Sequence, residues 1–242
     1  MSRSVPSNGA TLTTIAALTF RRLRRGRMQW IALGVACLPI LFAGVVSRAS
    51  HHSDALAWTG ILFDIFVVEM LVLAVVPALL VSSAIGDEIE DRTTTYLWSR
   101  PLARWTVLIG KLIALTPIAV LFVTGGWIVA VELGAGMLAP LPTIAGVAAA
   151  TVVISIIAGG ISMLVPKHGL PLTIVYMVFD GIIGQIPASL QVVSVTHQAS
   201  LIAHLGLDDG APTSPVVPAI TLAVIAAVWL ASGLRRIARL ES

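Results

Sequence analysis

The sequence predicts an all-α polytopic membrane protein with six transmembrane helices, an N-terminal interfacial amphipathic helix and both termini in the cytoplasm. Hydrophobic residues make up 57% of the 242 residues and charged residues only 11%, whereas soluble domains carry about 25% charged residues. Apolar runs of about 20 residues recur, each long enough to cross a hydrocarbon core of about 30 Å. The alternating pattern of a membrane β-barrel is absent, so helices are expected.

The first 27 residues are predicted to form a cytoplasmic segment that contains the interfacial helix. Over residues 11–27, apolar side chains share one broad helical face and arginines occupy the rest, which is typical of a helix lying in the membrane interface. The apolar residues are Leu12, Ile15, Ala16, Phe20 and Leu23, and the arginines are Arg21, Arg22, Arg24, Arg25 and Arg27. A plain basic leader that only fixes topology is the alternative. The apolar stretch that follows is too long for a cleavable signal peptide.

Six apolar segments are predicted to span the membrane within one domain, residues 28–234. They are residues 28–47, 60–85, 109–133, 143–165, 169–186 and 215–234. With the N-terminus inside, fourteen of the fifteen Lys and Arg residues fall on the cytoplasmic side and only Arg48 falls outside. This asymmetry follows the positive-inside rule and explains the net charge of +3 without a nucleic-acid partner. Residues 235–242 are then a cytoplasmic tail.

Prolines and glycines recur inside the predicted spans. Membrane helices tolerate them, and small residues allow neighbouring helices to approach closely. Close packing is one interpretation of the pattern and helix mobility is the other. The residues are Pro39, Pro77, Pro117, Gly125, Gly126, Gly159 and Gly160.

The longest predicted outer connection, residues 187–214, is expected to hold a short re-entrant or surface helix. His197 and His204 in this connection would share one helix face. A transition-metal site with Asp54, Asp208 or Asp209 is the alternative. No H-x-x-x-H or carboxylate spacing supports it, so no metal or cofactor is expected on this chain. Cys37 is the only cysteine, which excludes an intrachain disulfide.

Residues 86–111, GDEIEDRTTTYLWSRPLARWTVLIGK, form a charged island between two apolar runs. Its acids follow the second predicted span at the cytoplasmic end, where a helix C-terminus and an anionic leaflet both disfavour negative charge. Arg92, Arg100 and Arg104 would compensate internally, or a protein partner would supply cations. A solvated loop that docks on lipid headgroups is the alternative.

The order of residues in this island resembles the cytoplasmic loop of ABC-2 type permeases. Members of that family often show an acidic E-x-E-D element, then Thr, Tyr-Leu, Arg-Pro and Arg, and a Gly-Lys that opens the next span. The matching positions are Glu88, Glu90, Asp91, Thr93, Tyr96, Leu97, Arg100, Pro101, Arg104, Gly110 and Lys111. Arg92 stands where many relatives carry Gly, so a tight glycine turn is not expected there.

The resemblance implies a permease subunit that forms the substrate pathway of an exporter in the bacterial inner (plasma) membrane. Such a subunit pairs with a second permease subunit, identical or a paralogue, contacts membrane lipid, and couples to a separate cytoplasmic ATP-binding subunit. The implied coupling residues are Asp87, Glu88, Glu90, Asp91, Arg92, Thr93, Tyr96, Arg100, Pro101, Arg104 and, on a second inner turn, Lys167.

The chain lacks the motif it would need to hydrolyse ATP itself. A phosphate-binding loop requires G-x-x-x-x-G-K-[ST], and here Gly110-Lys111 is followed by Leu112 and has no upstream glycine. No catalytic residue is therefore predicted, and ATP and Mg²⁺ are expected on the partner subunit.

Four carboxylates fall within predicted spans: Asp64, Glu69, Glu132 and Asp180. A charged side chain at the bilayer centre costs at least about 2.5–3.5 kcal/mol, so such groups normally face protein or water. All four incline toward the predicted outer side, where they would line an exit pathway or gate. Structural hydrogen bonding to Ser, Thr or Tyr176, or misplaced span ends, is the alternative.

Two other classes of function stay open at this point. A solitary ion-coupled carrier or channel would use the buried acids as ion sites, but no inverted repeat is evident. A membrane-embedded enzyme would use the outward carboxylates and histidines, but no catalytic spacing such as G-x-S-x-G or H-E-x-x-H occurs. The transported substrate is not readable from the sequence.

Overall fold

The computed structural model describes residues 8–49, 55–63, 72–90, 105–186, 189–205 and 214–239, and this part of the chain is helical without any strand. In chain order the α-helices are α1 (Asn8–Arg25), α2 (Met28–Ala36), α3 (Leu38–Ala49), α4 (Ala55–Phe63), α5 (Val72–Pro77), α6 (Ser83–Glu90), α7 (Trp105–Ala135), α8 (Leu141–Leu164), α9 (Gly169–Gln185), α10 (Val195–Ala203) and α11 (Val216–Arg239). A π-helical turn (Ala78–Ser82) joins α5 to α6, and 3₁₀ turns lie at Pro166–His168 and Ser189–Val193.

Four apolar helices in the described residues are long enough to cross a membrane: Met28–Val45, Trp105–Ala135, Leu141–Leu164 and Val216–Arg239. These match the first, third, fourth and sixth predicted spans. The fifth is α9, whose 17 residues extend over about 25 Å at 1.5 Å per residue. The second predicted span falls on α4 and on the shorter apolar helix Ala74–Gly86, and residues 64–71 between them lie outside the described part. Six spans and the orientation of the termini therefore stay predictions.

Helix boundaries differ from the predicted ones where prolines and charged ends are involved. The first span is interrupted at Cys37, between α2 and α3. Pro39 lacks an N–H donor and its ring crowds the carbonyl four residues earlier, which explains the break. Pro77 precedes the π-helical turn, whereas Pro117 lies inside the unbroken α7. α11 continues to Arg239, so most of the predicted tail at 235–242 is helical.

α8 is the central helix of the described structure, packing against α7, α9, α10, α11 and the α5–α6 helix. Its small residues make this possible. A Cβ atom on Gly146 would lie 2.7 Å from the Ala199 carbonyl oxygen of α10, and one on Gly160 would lie 2.9 Å from the Trp229 carbonyl oxygen of α11. Close backbone approach over small residues is a usual way for membrane helices to associate.

Buried hydroxyl groups on α8 are satisfied within the helix. Thr151, Ser155 and Ser162 each donate to the carbonyl oxygen four residues earlier, at 2.7 Å. A buried hydroxyl without a partner costs about 1–3 kcal/mol, so this bonding allows polar side chains in an apolar core.

One end of the molecule gathers the charged segments. Ile85 of α6, Leu108 and Leu112 of α7, and Ile237 of α11 are buried in one cluster, and Leu23 of α1 packs against it. We call this end, where α6 finishes and α7 begins, the α6 end. The opposite end, where α10 packs on the start of α8, is the α10 end. By the positive-inside rule, the α6 end is predicted to face the cytoplasm.

α1 lies against α7 at the α6 end and exposes part of its apolar surface. A Cβ on Gly110 of α7 would lie 2.9 Å from Ile15 of α1. Leu18 and Phe20 are 60% and 51% exposed, and Arg21 and Arg22 are exposed beside them. The helix predicted for residues 11–27 therefore exists, slightly shifted, with the mixed surface that suits a membrane interface.

The adjacent glycines of α7 provide a matched test of this packing. A Cβ on Gly126 would collide with the Ala36 carbonyl oxygen of α2, whereas a Cβ on Gly125 would meet nothing within 4 Å. Gly126→Ala is expected to destabilise the protein by about 1–3 kcal/mol through overpacking. Gly125→Ala is expected to leave stability unchanged or to raise it by up to about 1 kcal/mol, since alanine favours helix. Thermal unfolding midpoints in detergent measure the difference, and equal shifts would contradict the α2–α7 contact.

Candidate functional site

The predicted site residues fall into three groups in the structure. Asp87, Glu88 and Glu90 lie on the backbone of α6, and Lys167 is exposed on the 3₁₀ turn between α8 and α9. Glu132 is exposed near the end of α7, and Asp180 is buried in α9. The others lie outside the described residues: Asp64, Glu69, Asp91, Arg92, Thr93, Tyr96, Arg100, Pro101 and Arg104.

The two segments predicted to couple to a partner are neighbours at the α6 end. α6 contacts the turn Pro166–His168. A Cβ on Gly86, just before Asp87, would lie 3.0 Å from the Pro166 carbonyl oxygen. Lys167 and His168 are exposed on that turn. The start of the acidic segment and a basic turn from a distant part of the chain therefore lie side by side.

Lys111 is a buried lysine at the same end. Its side chain is 3% exposed, and its Nζ donates to the Ala84 carbonyl oxygen of α6 at 2.6 Å. Sequence reasoning placed Lys111 at the inner mouth of a span and missed its burial. The available signal was its position within an apolar run, beyond the first turn of the helix.

Asp180 occupies the α10 end and is 4% exposed. Its Oδ1 accepts from the Val195 backbone N–H at 2.8 Å. Its Oδ2 accepts from the Thr196 N–H at 2.9 Å, from Thr196 Oγ1 at 2.8 Å and from Ser194 Oγ at 3.1 Å. The alternative to a pathway role was structural hydrogen bonding to Ser, Thr or Tyr176. Asp180 makes such bonds, with Ser194 and Thr196 as side-chain partners.

These hydrogen bonds cap the N-terminus of α10. The first N–H groups of a helix have no partner within the helix, and Asp180 accepts from two of them. Ser194 accepts from the next, the His197 N–H, at 3.1 Å. A carboxylate at a helix N-terminus is favourable because of the partial positive charge there. The helix predicted in the outer connection is therefore present and fastened to α9.

His197 adds no positive charge to this region at neutral pH. Burial lowers the pKa of its imidazole below the usual value of 6.5. Within the described residues, no three His, Cys, Asp or Glu side chains are grouped so that they could hold a metal ion.

One comparison with known proteins identifies a family. A family model described as ABC-2 family transporter protein matches residues 19–183, well over half of the chain. The matched range includes the charged island, α8 and Asp180. No curated protein matches the chain.

Replacing Asp180 tests whether it holds α10. Asp180→Ala leaves buried donors of Val195 and Thr196 without a partner and is expected to lower stability by about 3 kcal/mol. Asp180→Asn keeps one acceptor oxygen, so its stability is expected to lie between those of the wild type and Asp180→Ala. Glu132→Gln changes an exposed carboxylate on α7 and should have no effect. Unfolding midpoints in detergent give the order, and an unaltered midpoint for Asp180→Ala would favour a pathway role for this residue instead.

Proposed function

This chain belongs to the ABC-2 family of transporter proteins, because the family model covers most of its residues. We propose that it is the permease subunit of an ATP-driven exporter. It is a multi-pass membrane protein. In the proposed complex it forms the substrate pathway, and a separate cytoplasmic subunit binds and hydrolyses ATP with Mg²⁺.

One contact carries the proposal that the α6 end docks this subunit. The acidic segment beginning at Asp87 emerges beside the exposed Lys167 and His168 of the turn after α8. An acidic segment next to a basic turn suits electrostatic recognition of a protein partner, because complementary charges fix orientation and register. A partner that binds both the acidic segment and the Pro166–His168 turn would contact the ends of α6 and of the central helix α8.

The proposed orientation places the α6 end in the cytoplasm. The last turns of α1 and of α11 lie at this end with the start of α7. Arg21, Arg22, Arg235 and Arg236 belong to those helices. Collecting these cations on one side agrees with the positive-inside rule, and it would put both termini in the cytoplasm of a bacterial inner membrane.

We further propose that the permease pairs with a second permease subunit, identical or a paralogue. One side of α9 is apolar and exposed in the single chain, with Leu172, Val175, Phe179 and Ile182 all exposed. Similar apolar surface on α3 and α11 is exposed. In a bilayer these surfaces are covered by lipid or by the second subunit.

The four carboxylates predicted toward the outer side stay candidates for the exit side of the pathway. These are Asp64, Glu69, Glu132 and Asp180. Asp180 would act there by holding α10 in place, since four donors already occupy its oxygens. This occupancy argues against Asp180 as the ion site of a solitary carrier.

Charge reversal in the acidic segment tests the coupling proposal. Glu90→Lys combined with Asp91→Lys should abolish co-purification of the ATPase subunit in mild detergent, because like charges across an interface repel. The variant itself should still insert and elute as a folded protein.

The matched control reverses two acids on the predicted outer side, Asp208→Lys with Asp209→Lys. It should leave co-purification intact. Retention of the ATPase by the Glu90/Asp91 variant would remove that segment from the docking surface. A wild-type chain that elutes without any ATPase would contradict the proposed function as a whole.

A further inference from the structure

The chain contains two lysines, and they occupy opposite environments at the α6 end. Lys167 is exposed on a turn, whereas Lys111 lies in the second turn of α7 and is only 3% exposed. An ionisable side chain buried in a membrane helix is costly and generally has a functional role with a specific partner. Fixing topology requires only an exposed cation at the span end, so Lys111 calls for another explanation.

One observed partner of Lys111 is the backbone of α6. Its Nζ donates to the Ala84 carbonyl oxygen at 2.6 Å, across a sequence separation of 27 residues. A carbonyl oxygen has two lone pairs, so it can accept a hydrogen bond from the ammonium in addition to the one from a backbone N–H of its own helix. Apolar side chains of the same cluster surround this level, among them Ile85, Leu108 and Leu112. Water is therefore largely excluded, and the charged hydrogen bond is strengthened.

The position of Ala84 connects Lys111 to the acidic segment. Asp87 and Glu88 follow Ala84 by three and four residues on the same helix, and residues at these separations share a helix face. The backbone positions of both acids are thus one turn beyond the carbonyl that Lys111 reaches. The sequence alone does not determine which cation offsets the charge of these acids. A lysine ammonium carries three hydrogen-bond donors and one positive charge, so Lys111 is suited to offset them.

We propose that Lys111 is the positioning residue of the coupling segment: its buried ammonium fastens the last turns of α6 to α7 and offsets the charge of Asp87 and Glu88. A displacement of the acidic segment then moves α7. This role rests on the proposed function, because a partner ATPase must supply the displacement.

The surroundings of Lys111 make the connection stiff. Gly110 packs directly under Ile15 of α1, and Gly86 packs under the Pro166 carbonyl oxygen. α1, α6, α7 and the Pro166–His168 turn are therefore held together at this level. α7 is 31 residues long in all, about 46 Å, and would carry the displacement to the α10 end.

The first experiment tests the burial and contact on the chain alone, in detergent, using an amine-reactive acylating reagent and peptide mass spectrometry. Lys111 should react about tenfold or more slowly than Lys167, because reaction must await local opening. Unfolding in denaturant should equalise the two rates. Equal rates in the folded protein would overturn the proposal.

The second experiment tests the charge balance by thermal unfolding midpoints. Lys111→Met should lower the midpoint, and adding Asp87→Asn or Glu88→Gln should recover part of the loss. Arg235→Met, which removes an exposed cation at the same end, should not lower it. Losses that simply add in the double variants would show independent sites and overturn the charge-balance part of the proposal.

The third experiment uses the complex with its ATPase, in a cysteine-free background made by Cys37→Ser. A fluorophore at Leu133→Cys, exposed near the far end of α7, reports its movement when ATP and vanadate are added. The fluorescence change is measured on complexes that retain the ATPase. With Lys111→Met it should disappear, and Lys111→Arg should restore it in part.

An undiminished change with Lys111→Met would overturn the positioning role. The failure of any ATPase to bind the wild-type chain would instead overturn the proposed function, while the labelling and stability experiments would still test the contact of Lys111 with α6.

Discussion

The hydrocarbon core offers polar groups no water, and the placement of several buried polar side chains in the described part of the fold follows from that constraint. Hydroxyl groups of α8 donate to the carbonyl one turn earlier. Asp180 faces the free N–H groups at the start of α10, and the Lys111 ammonium faces a carbonyl oxygen of α6. Among the described residues, Asp180 and Lys111 are the buried ionisable side chains, and they lie toward opposite ends of the helices. Each joins two helices that are separate along the chain.

The sequence predicted three of the long helices closely, because the length of an apolar run sets how far such a helix extends. α7, α8 and α9 each begin and end within four residues of the predicted spans 109–133, 143–165 and 169–186. The short helix in the predicted outer connection was also expected. The interruption at Cys37 was not, although Pro39 two residues later is its physical cause. Membrane helices often accommodate proline, as α7 does at Pro117, so sequence alone does not separate the two outcomes.

The site was less predictable, because its contacts join segments that are distant in sequence. Nothing local to Asp180 reveals that residues 194–196 return to cap it. Likewise, Lys111 next to a predicted loop resembles an ordinary topological lysine until α6 is placed beside it. Family resemblance correctly identified the class of protein from residues 86–111. It gave no information on the adjacency of Gly86 and Pro166, which depends on how α8 packs.

The order of the helices along the chain also affects how the core is completed during synthesis. Gly160 of α8 lies against the backbone of Trp229 in α11, so the helix that covers this side of α8 is translated after α8 itself. Until α11 has been inserted, the side of α8 that carries Gly160 faces lipid or the insertion machinery. α11 is therefore the last of the described helices to pack on α8. A ribosome that stalls between the two helices leaves the central helix half covered, a state in which membrane chains are open to mispairing and degradation.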